Sequence, residues 1–457
     1  MLKLDRGETA VTIELVSRED FQSWLTLQTQ WHQNWLKAAA FEAKNAQTIL
    51  LPDAHGALDK ILVIGDAKRV YSLAHLALSL PEGDYRVHAP GGALAELALG
   101  FALGGYRFER YLKPKRTPAR MLVAKELLEQ VQPLVDAVVR ARDLVNTPTE
   151  DLGPEHLQAK VQALAEQQQA HFRARVGAEL LSDNFPAIHA VGRASHRAPR
   201  LLELDSKLAD QALPLLCIVG KGVCFDTGGL DIKPADGMAA MKKDMGGAAV
   251  ALALAQWVLE SKLKARLKLL IPAVENAIGP DAYRPGEVIS TRHGYRVEIG
   301  NTDAEGRVIL CDALTYALES KPDLLIDFAT LTGAARIALG PDLPPVFAHR
   351  QSTREALIEH GVRREDPLWP MPLHSDYEHY LKSTIADFNN AGSSRMAGCI
   401  TAALYLQKFV PSEQDWLHID TYCWNDRDRP GRPQGGECQS LRASISYLSS
   451  RYGHATV

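Results

Sequence analysis

The chain lacks most of the short signatures by which a sequence announces its chemistry. No H-E-x-x-H occurs in its 457 residues, and the 15 histidines show no ligand spacing, so a zinc held by that motif is excluded. The six cysteines (Cys217, Cys224, Cys311, Cys399, Cys423 and Cys438) form no C-x-x-C pair. Several lie inside apolar runs, as reduced, buried thiols of a cytosolic protein do. G-x-x-x-x-G-K-[ST] and G-x-G-x-x-G are absent, which removes a Walker A loop and a dinucleotide fingerprint. No uncharged stretch approaches the roughly 20 residues of a membrane span. The start, Met1-Leu2-Lys3-Leu4-Asp5-Arg6, has no apolar h-region, so no signal peptide is predicted. Positive charge is not in excess either. With 51 basic and 55 acidic residues the formal charge is −4, which gives no global attraction to nucleic acid or anionic lipid. A soluble, cytoplasmic protein is expected.

What is present is ordinary in bulk and unusual in two places. With 46% hydrophobic and 23% charged residues the composition is that of a globular protein, and the length calls for more than one core. Residues 1–120 mix short apolar runs such as Ile61-Leu62-Val63-Ile64 with helix-like stretches such as Ala93 to Ala102. They read as a first, small α/β domain that ends near Leu112-Lys113-Pro114-Lys115-Arg116-Thr117-Pro118. A helical pattern from Lys125 to Leu144 follows, within a linking segment 121–153. Pro133 predicts a kink or a late start there, and Asn146-Thr147-Pro148 a stop. From 154 to 457, strands (Leu215 to Val219, Leu267 to Ile271, Leu324 to Phe328, Leu417 to Ile419) alternate with helices (Ala248 to Leu259, Val308 to Leu318). That alternation predicts an α/β domain with a mixed or parallel sheet flanked by helices. Ligands of such sheets bind beyond the carboxyl ends of the strands.

The first unusual place is Asn301-Thr302-Asp303-Ala304-Glu305-Gly306-Arg307. Asp303 and Glu305 are two apart, so an extended segment would point both the same way. Two such carboxylates repel unless a cation holds them. Acids also enrich the first turn of a helix, so alone the pair fits a metal no better than a helix start. The second place follows the strand ending at Val219. It runs Gly220-Lys221-Gly222-Val223-Cys224-Phe225-Asp226-Thr227-Gly228-Gly229, then Leu230-Asp231-Ile232-Lys233-Pro234, then Met241-Lys242-Lys243-Asp244-Met245-Gly246-Gly247-Ala248. A glycine-rich strand-to-helix turn is the plain reading. Yet Asp226 and Asp244 added to Asp303 and Glu305 give four carboxylates, enough for a carboxylate-rich site of two divalent ions.

These motifs resemble those of the leucyl aminopeptidases, the cytosol aminopeptidase family of two-metal exopeptidases. N-T-D-A-E-G-R is complete at Asn301 to Arg307. G-K-G-x-x-F-D-[ST]-G-G stands at Gly220 to Gly229, with I-K-P at Ile232 to Pro234 and M-K-x-D-M-x-G-A-A at Met241 to Ala249. Arg142 to Pro148, Trp416 to Asp420 and Gly105-Tyr106-Arg107-Phe108 match more weakly. The resemblance implies a macro-like N-terminal domain and a catalytic C-terminal domain. It implies Zn²⁺ or Mn²⁺ at two sites, with Asp226 and Glu305 bridging, Lys221 and Asp244 completing the tighter site, and Asp303 serving the exchangeable one through its carboxylate and backbone carbonyl. Lys233 would face the scissile carbonyl, and Arg307 would hold a bicarbonate ion acting as general base. Met241, Thr330, Leu331 and Gly333 would contact the substrate. The implied reaction is release of N-terminal residues, leucine and other bulky apolar ones preferred, by attack of a metal-bridging hydroxide. A homohexamer acting on short peptides is implied too. As a ligand Lys221 must be neutral, so its pKa would have to fall from about 10.4.

Three positions depart from the family pattern. Cys224 stands where threonine is expected and reads as a packing change. Asp231 stands for serine, two residues before Lys233, and is expected to pair with it. Glu437-Cys438-Gln439-Ser440-Leu441 departs from a small, apolar stretch near the side-chain pocket. Lys242 and Lys243 are expected to be solvated or paired with acids, His418 to be structural, and Trp369 and Trp416 to be core or subunit interface. Two other functions stay open: a two-metal hydrolase of another bond such as a phosphoester, and a nucleic-acid-binding scaffold.

Overall fold

The computed structural model describes residues 1–206 and 212–453. It divides into two compact units: Met1–Val139 with Arg427–Gln434, and Arg140–Asp426 with the segment from Gly435 on. The first unit is a small α/β domain. Its sheet runs in the order Leu2–Leu4, Arg120–Val123, Asp84–His88, Val11–Val16, Leu58–Ile64, Thr48–Pro52. All neighbours are parallel except the last pair. The helix Leu94–Gly104 is buried from Leu97 to Leu103, which is why its sequence is apolar on every face.

The helix Lys125–Asn146 passes through the division between the units. It neither starts late nor stops at Pro133. Proline removes one N–H, and Glu129, whose carbonyl loses that partner, is exposed. No local pattern could announce that Arg427–Gln434 joins the first unit, because that association is made 300 residues away along the chain.

The larger unit carries a mixed sheet in the order Trp369–Pro370, Pro345–Ala348, Trp416–Asp420, Leu324–Ala329, Leu215–Gly220, Arg266–Asn276, Arg200–Asp205, His171–Val176. The four central strands, Trp416–Asp420 to Arg266–Asn276, are parallel. They are buried almost throughout, as strands covered on both faces must be, and hence read as continuous apolar runs. The helices Gly246–Glu260 and Glu305–Leu318 pack against this sheet. Each begins two or three residues earlier than its apolar pattern suggested, and those extra residues belong to the polar clusters.

Asp312 anchors the second of these helices. It is 0% exposed; its Oδ2 accepts from the backbone N–H of Ala187 (2.9 Å) and Ile188 (3.3 Å), and its Oδ1 from Arg292 N–H (2.7 Å). Asp312→Ala would strand three donors in the interior. We expect a stability loss of about 3–5 kcal/mol in chemical denaturation, since each unmet buried donor costs roughly 1–3 kcal/mol. A change below about 1 kcal/mol would show that the donors find water.

Candidate metal centre

The carboxyl ends of the parallel strands deliver the polar residues, as the topology requires. Lys221 follows the strand Leu215–Gly220 and is 3% exposed. Its Nζ donates to Thr330 O at 2.8 Å and stands 2.8 Å from both Asp244 and Glu305. Burial lowers its pKa, but the carboxylates of Asp244, Glu305 and Asp226 outweigh that and raise it overall. These carboxylates favour the ammonium form of Lys221, which would have to release its proton before serving as a ligand.

Asp226 ends the short strand Gly222–Asp226, which pairs with the far end of Arg266–Asn276. Its Oδ1 accepts from Gly228 N and Asn276 Nδ2, both at 2.8 Å. The chain then reverses through Gly228 (φ +87°) and Gly229 (φ +65°), a backbone region that residues with a Cβ avoid. Lys233 N–H closes the loop onto Thr227 O at 3.0 Å. The reversal returns Lys233 to Asp226: its Nζ lies 2.8 Å from Asp226 Oδ2 and also contacts Asp303. Burial lowers the Lys233 pKa, while Asp226 and Asp303 more than reverse this, so it stays charged.

Asp244 lies on the 3₁₀ turn Met241–Met245, and Thr330 Oγ1 donates to its Oδ1 at 2.8 Å. Glu305 is the first residue of its helix, so the helix-start and metal readings of this acid are compatible. Asp303 precedes it in a turn, its N–H donating to Asn301 Oδ1 at 2.7 Å. The extended geometry read from the spacing is not adopted. Asp303 and Glu305 diverge, one toward Lys233 and the other toward Lys221. The turn is held by Thr302, whose Oγ1 donates to Gly228 O (2.6 Å) and whose carbonyl accepts from Tyr283 OH (2.6 Å). Asn390 braces it too, with Oδ1 accepting from Gly300 N–H at 2.8 Å and Nδ2 donating to Asn301 O at 2.8 Å.

Ligand atoms of Asp226, Asp244 and Glu305 lie within 4.8 Å of one another, and all three residues are buried. Asp303 stands outside this trio, across Lys233, with a third of its side chain exposed. Burial first, then Asp226, pushes the Asp303 carboxyl up to about 6 despite Lys233, and the same two causes raise Glu305 well above its ordinary range. Asp244 Oδ2, Glu305 Oε1 and Asp303 Oδ1 are buried, and lysine ammoniums are what engages them: Lys221 Nζ lies 2.8 Å from each of the first two and Lys233 Nζ contacts the third. Crowded carboxylate oxygens held by ammoniums are a donor set that a hard or borderline divalent cation takes.

The sequence profile of the cytosol aminopeptidase family, catalytic domain, matches residues 139–443, and that of the M17 aminopeptidase N-terminal domain matches 11–124. The chain belongs to the cytosol aminopeptidase family. It is 38% identical to a probable cytosol aminopeptidase of Syntrophotalea carbinolica, covering 79% of this chain and 76% of that protein. The crystal structure of a cytosol aminopeptidase from Coxiella burnetii superposes with a TM-score of 0.95 at 43% identity, covering 99% of both chains. The Bottromycin maturation enzyme BotP in complex with Mn gives a TM-score of 0.86 at 30% identity, covering 97% of this chain and 100% of that one. The protein is thus a metal-dependent aminopeptidase, a hydrolase acting on peptide N-termini.

In this aminopeptidase one cleft of about 640 Å³, open mouth included, is lined by Lys221, Asp226, Lys233, Met241, Asp244, Asp303, Glu305, Thr330, Leu331 and Gly333. Arg307 is not in that lining. It is 8% exposed, its Nη1 donates to Asn390 O at 2.9 Å, and its buried Nε has no acceptor. Burial lowers its pKa, partly offset by Tyr405, Glu305 and Asp420.

Of the other expectations, those for Asp231 and Lys243 need amending, while Cys224, His418 and Trp416 stand as expected. Asp231 does not pair with Lys233. Its Oδ2 accepts from Thr302 N–H at 2.7 Å and its own N–H donates to Thr302 Oγ1 at 2.9 Å, because the glycine reversal turns it toward the Asn301–Arg307 segment. Lys243 is neither solvated nor paired with an acid. It is 3% exposed in the cleft wall and over the Tyr422 ring, 5.0 Å from its centroid, and burial brings its pKa down to about 8. Lys242 Nζ donates to Asn146 O at 2.7 Å. Cys224 is 1% exposed in a strand, a packing position. His418 contacts Asp327 at 2.6 Å, and Trp416 Nε1 donates to the same carboxylate, a buried structural network. Trp416 is core, whereas Trp369 is exposed. Gln439 is not in the cleft lining; its Nε2 donates to Pro341 O at 3.2 Å and to Trp424 O at 3.1 Å. Residues missed outright are Asn276, Asn390, Arg336 and Tyr422, and Asp420 was noted only as the end of a weakly matching segment. No spacing to the motifs marks them, and only the sheet brings them near.

Proposed function

We propose that the enzyme holds two divalent ions, Zn²⁺ or Mn²⁺, with Asp226 and Glu305 between them, Lys221 and Asp244 at the tighter site and Asp303 at the exchangeable one. The observation that carries this reading is the buried trio Asp226, Asp244 and Glu305, whose ligand atoms lie within 4.8 Å of one another. Ions bound there would polarise the scissile carbonyl and lower the pKa of a water shared between them. Manganese has support from the BotP complex with Mn.

The chain's own residues do the rest. Lys233, charged and at the cleft, would meet the carbonyl oxygen as it gains negative charge. To do so it must loosen its contact with Asp303. Arg307, with its free Nε near the start of a helix, would hold a bicarbonate that takes up the proton of the attacking water. Met241, Thr330, Leu331 and Gly333 would line the place of the first residue. Met241 and Leu331, with Pro341 and Leu343 in the same lining, support acceptance of leucine and other bulky apolar side chains. The family resemblance supports a homohexamer that admits short peptides, and the name of the relatives supports a cytoplasmic location.

The test is reconstitution of metal-stripped protein. We expect hydrolysis of leucine p-nitroanilide to return on adding Mn²⁺ or Zn²⁺ and to saturate at two ions per chain. Turnover of a phosphoester in place of the anilide would overturn the reading.

A further inference from the structure

The cleft holds more positive charge than peptide-bond hydrolysis needs. Besides Lys221 and Lys233, its wall contains Lys243 and Arg336. Both face one aromatic ring: Lys243 Nζ lies 5.0 Å and Arg336 Cζ 4.5 Å from the centroid of Tyr422. That ring is tethered, since Tyr422 OH donates to Asp426 Oδ1 at 3.0 Å. Among the described residues, no ion pair within 4.0 Å engages either cation.

The acids nearby are committed elsewhere. Asp244 faces Lys221 and Thr330. Asp420 accepts from Leu331 N, Thr332 N and Thr332 Oγ1. Asp426 takes the tyrosine hydroxyl. A ring face attracts a cation but accepts no set of hydrogen bonds, and a desolvated charge without a carboxylate is costly. That cost falls on Lys243, which is 3% exposed, while Arg336 is partly exposed beside it.

The two cations also lie at the substrate's place. Arg336 is one turn along the helix Gly333–Leu339 from Gly333, and a Cβ built on Gly333 would stand 3.6 Å from Arg336 Nη2. Lys243 sits on the same short turn as Met241. The apolar part of the wall would thus meet the stem of a side chain, and the cations its tip.

We propose that Lys243 and Arg336 make this cleft select peptides whose first residue is acidic, glutamate or aspartate, over leucine. The inference rests on the aminopeptidase reading of the cleft given above. Leucine would lay its methyls against two cations and leave them unpaired. A carboxylate would engage both, with Arg336 offering a two-pronged contact. Discrimination of this kind is strong because the wrong side chain leaves the buried Lys243 without a partner.

The experiment compares kcat/KM of the Mn²⁺-loaded full chain on α-glutamyl, leucyl and lysyl p-nitroanilides. We expect glutamyl to exceed leucyl at least tenfold and lysyl to be the poorest. Arg336→Ala and Lys243→Met should each lower the glutamyl-to-leucyl ratio at least tenfold, and Arg336→Lys should restore most of it. Arg336 is partly exposed, so its variants test the idea without threatening the core. Leucyl turnover above glutamyl, or a ratio that neither variant moves, would overturn the selectivity while leaving the aminopeptidase reading intact. No turnover of any anilide would sink that reading and the selectivity with it.

Discussion

Lys233→Ala protein is expected to bind its two metal ions and to lose roughly 10²–10³-fold in kcat, the usual consequence of deleting one preorganised group that stabilises a developing oxyanion. Lys233 touches Asp226 and Asp303, so two outcomes compete. If it is only a counter-charge, its removal leaves the carboxylates repelling one another, and loaded ions would replace the lost charge with no cost to kcat. If it is the electrophile, metal occupancy holds while turnover collapses. Titration calorimetry or elemental analysis reports the first quantity and steady-state kinetics the second. An alanine variant with wild-type kcat at full metal loading would show that Lys233 serves the carboxylates alone. One that fails to hold two ions would make it a ligand.

Gly306→Ala probes the opposite side of the cluster. A Cβ at 306 would stand 2.7 Å from Cδ, Cε and Nζ of Lys221, closer than non-bonded atoms approach. Lys221 is too deeply buried to step aside freely: its Nζ is fixed by Thr330 O and lies between Asp244 and Glu305. We expect the lysine to be displaced and metal affinity at the tighter site to fall by about 10–100-fold, the range seen when a ligand's surroundings are disturbed. The fold should survive. Overpacking costs about 1–3 kcal/mol, against a gain of roughly 0.5–1 kcal/mol from replacing a helical glycine. Excess metal should restore part of the activity. Full occupancy at stoichiometric metal with unchanged turnover would mean that Lys221 is not needed where it stands.

Much of this architecture was legible because it is written in local pattern. The four central strands are apolar runs bounded by polar clusters, and burial on both faces demands that composition. The residues of the cleft were legible for another reason. Lys221, Asp226, Lys233 and Asp244 sit in one continuous stretch, so a single segment reports them together. What escaped notice depends on contacts across the chain. Asp231 beside Lys233 in sequence suggested an ion pair, but two left-handed glycines turn it to Thr302. Lys243 resembles any exposed lysine until the short 3₁₀ turn buries it. Arg336 and Tyr422 come from elements 86 residues apart and meet only across the sheet.

Asp420, at the end of the strand Trp416–Asp420, holds Leu331 N, Thr332 N and Thr332 Oγ1 and so fixes the wall of the cleft. Asp420 reaches that wall only while Trp416–Asp420 stays paired with Leu324–Ala329. Fraying this one strand pair would unfix the place of the substrate, while Asp226, Asp244 and Glu305, carried by other segments, stay together.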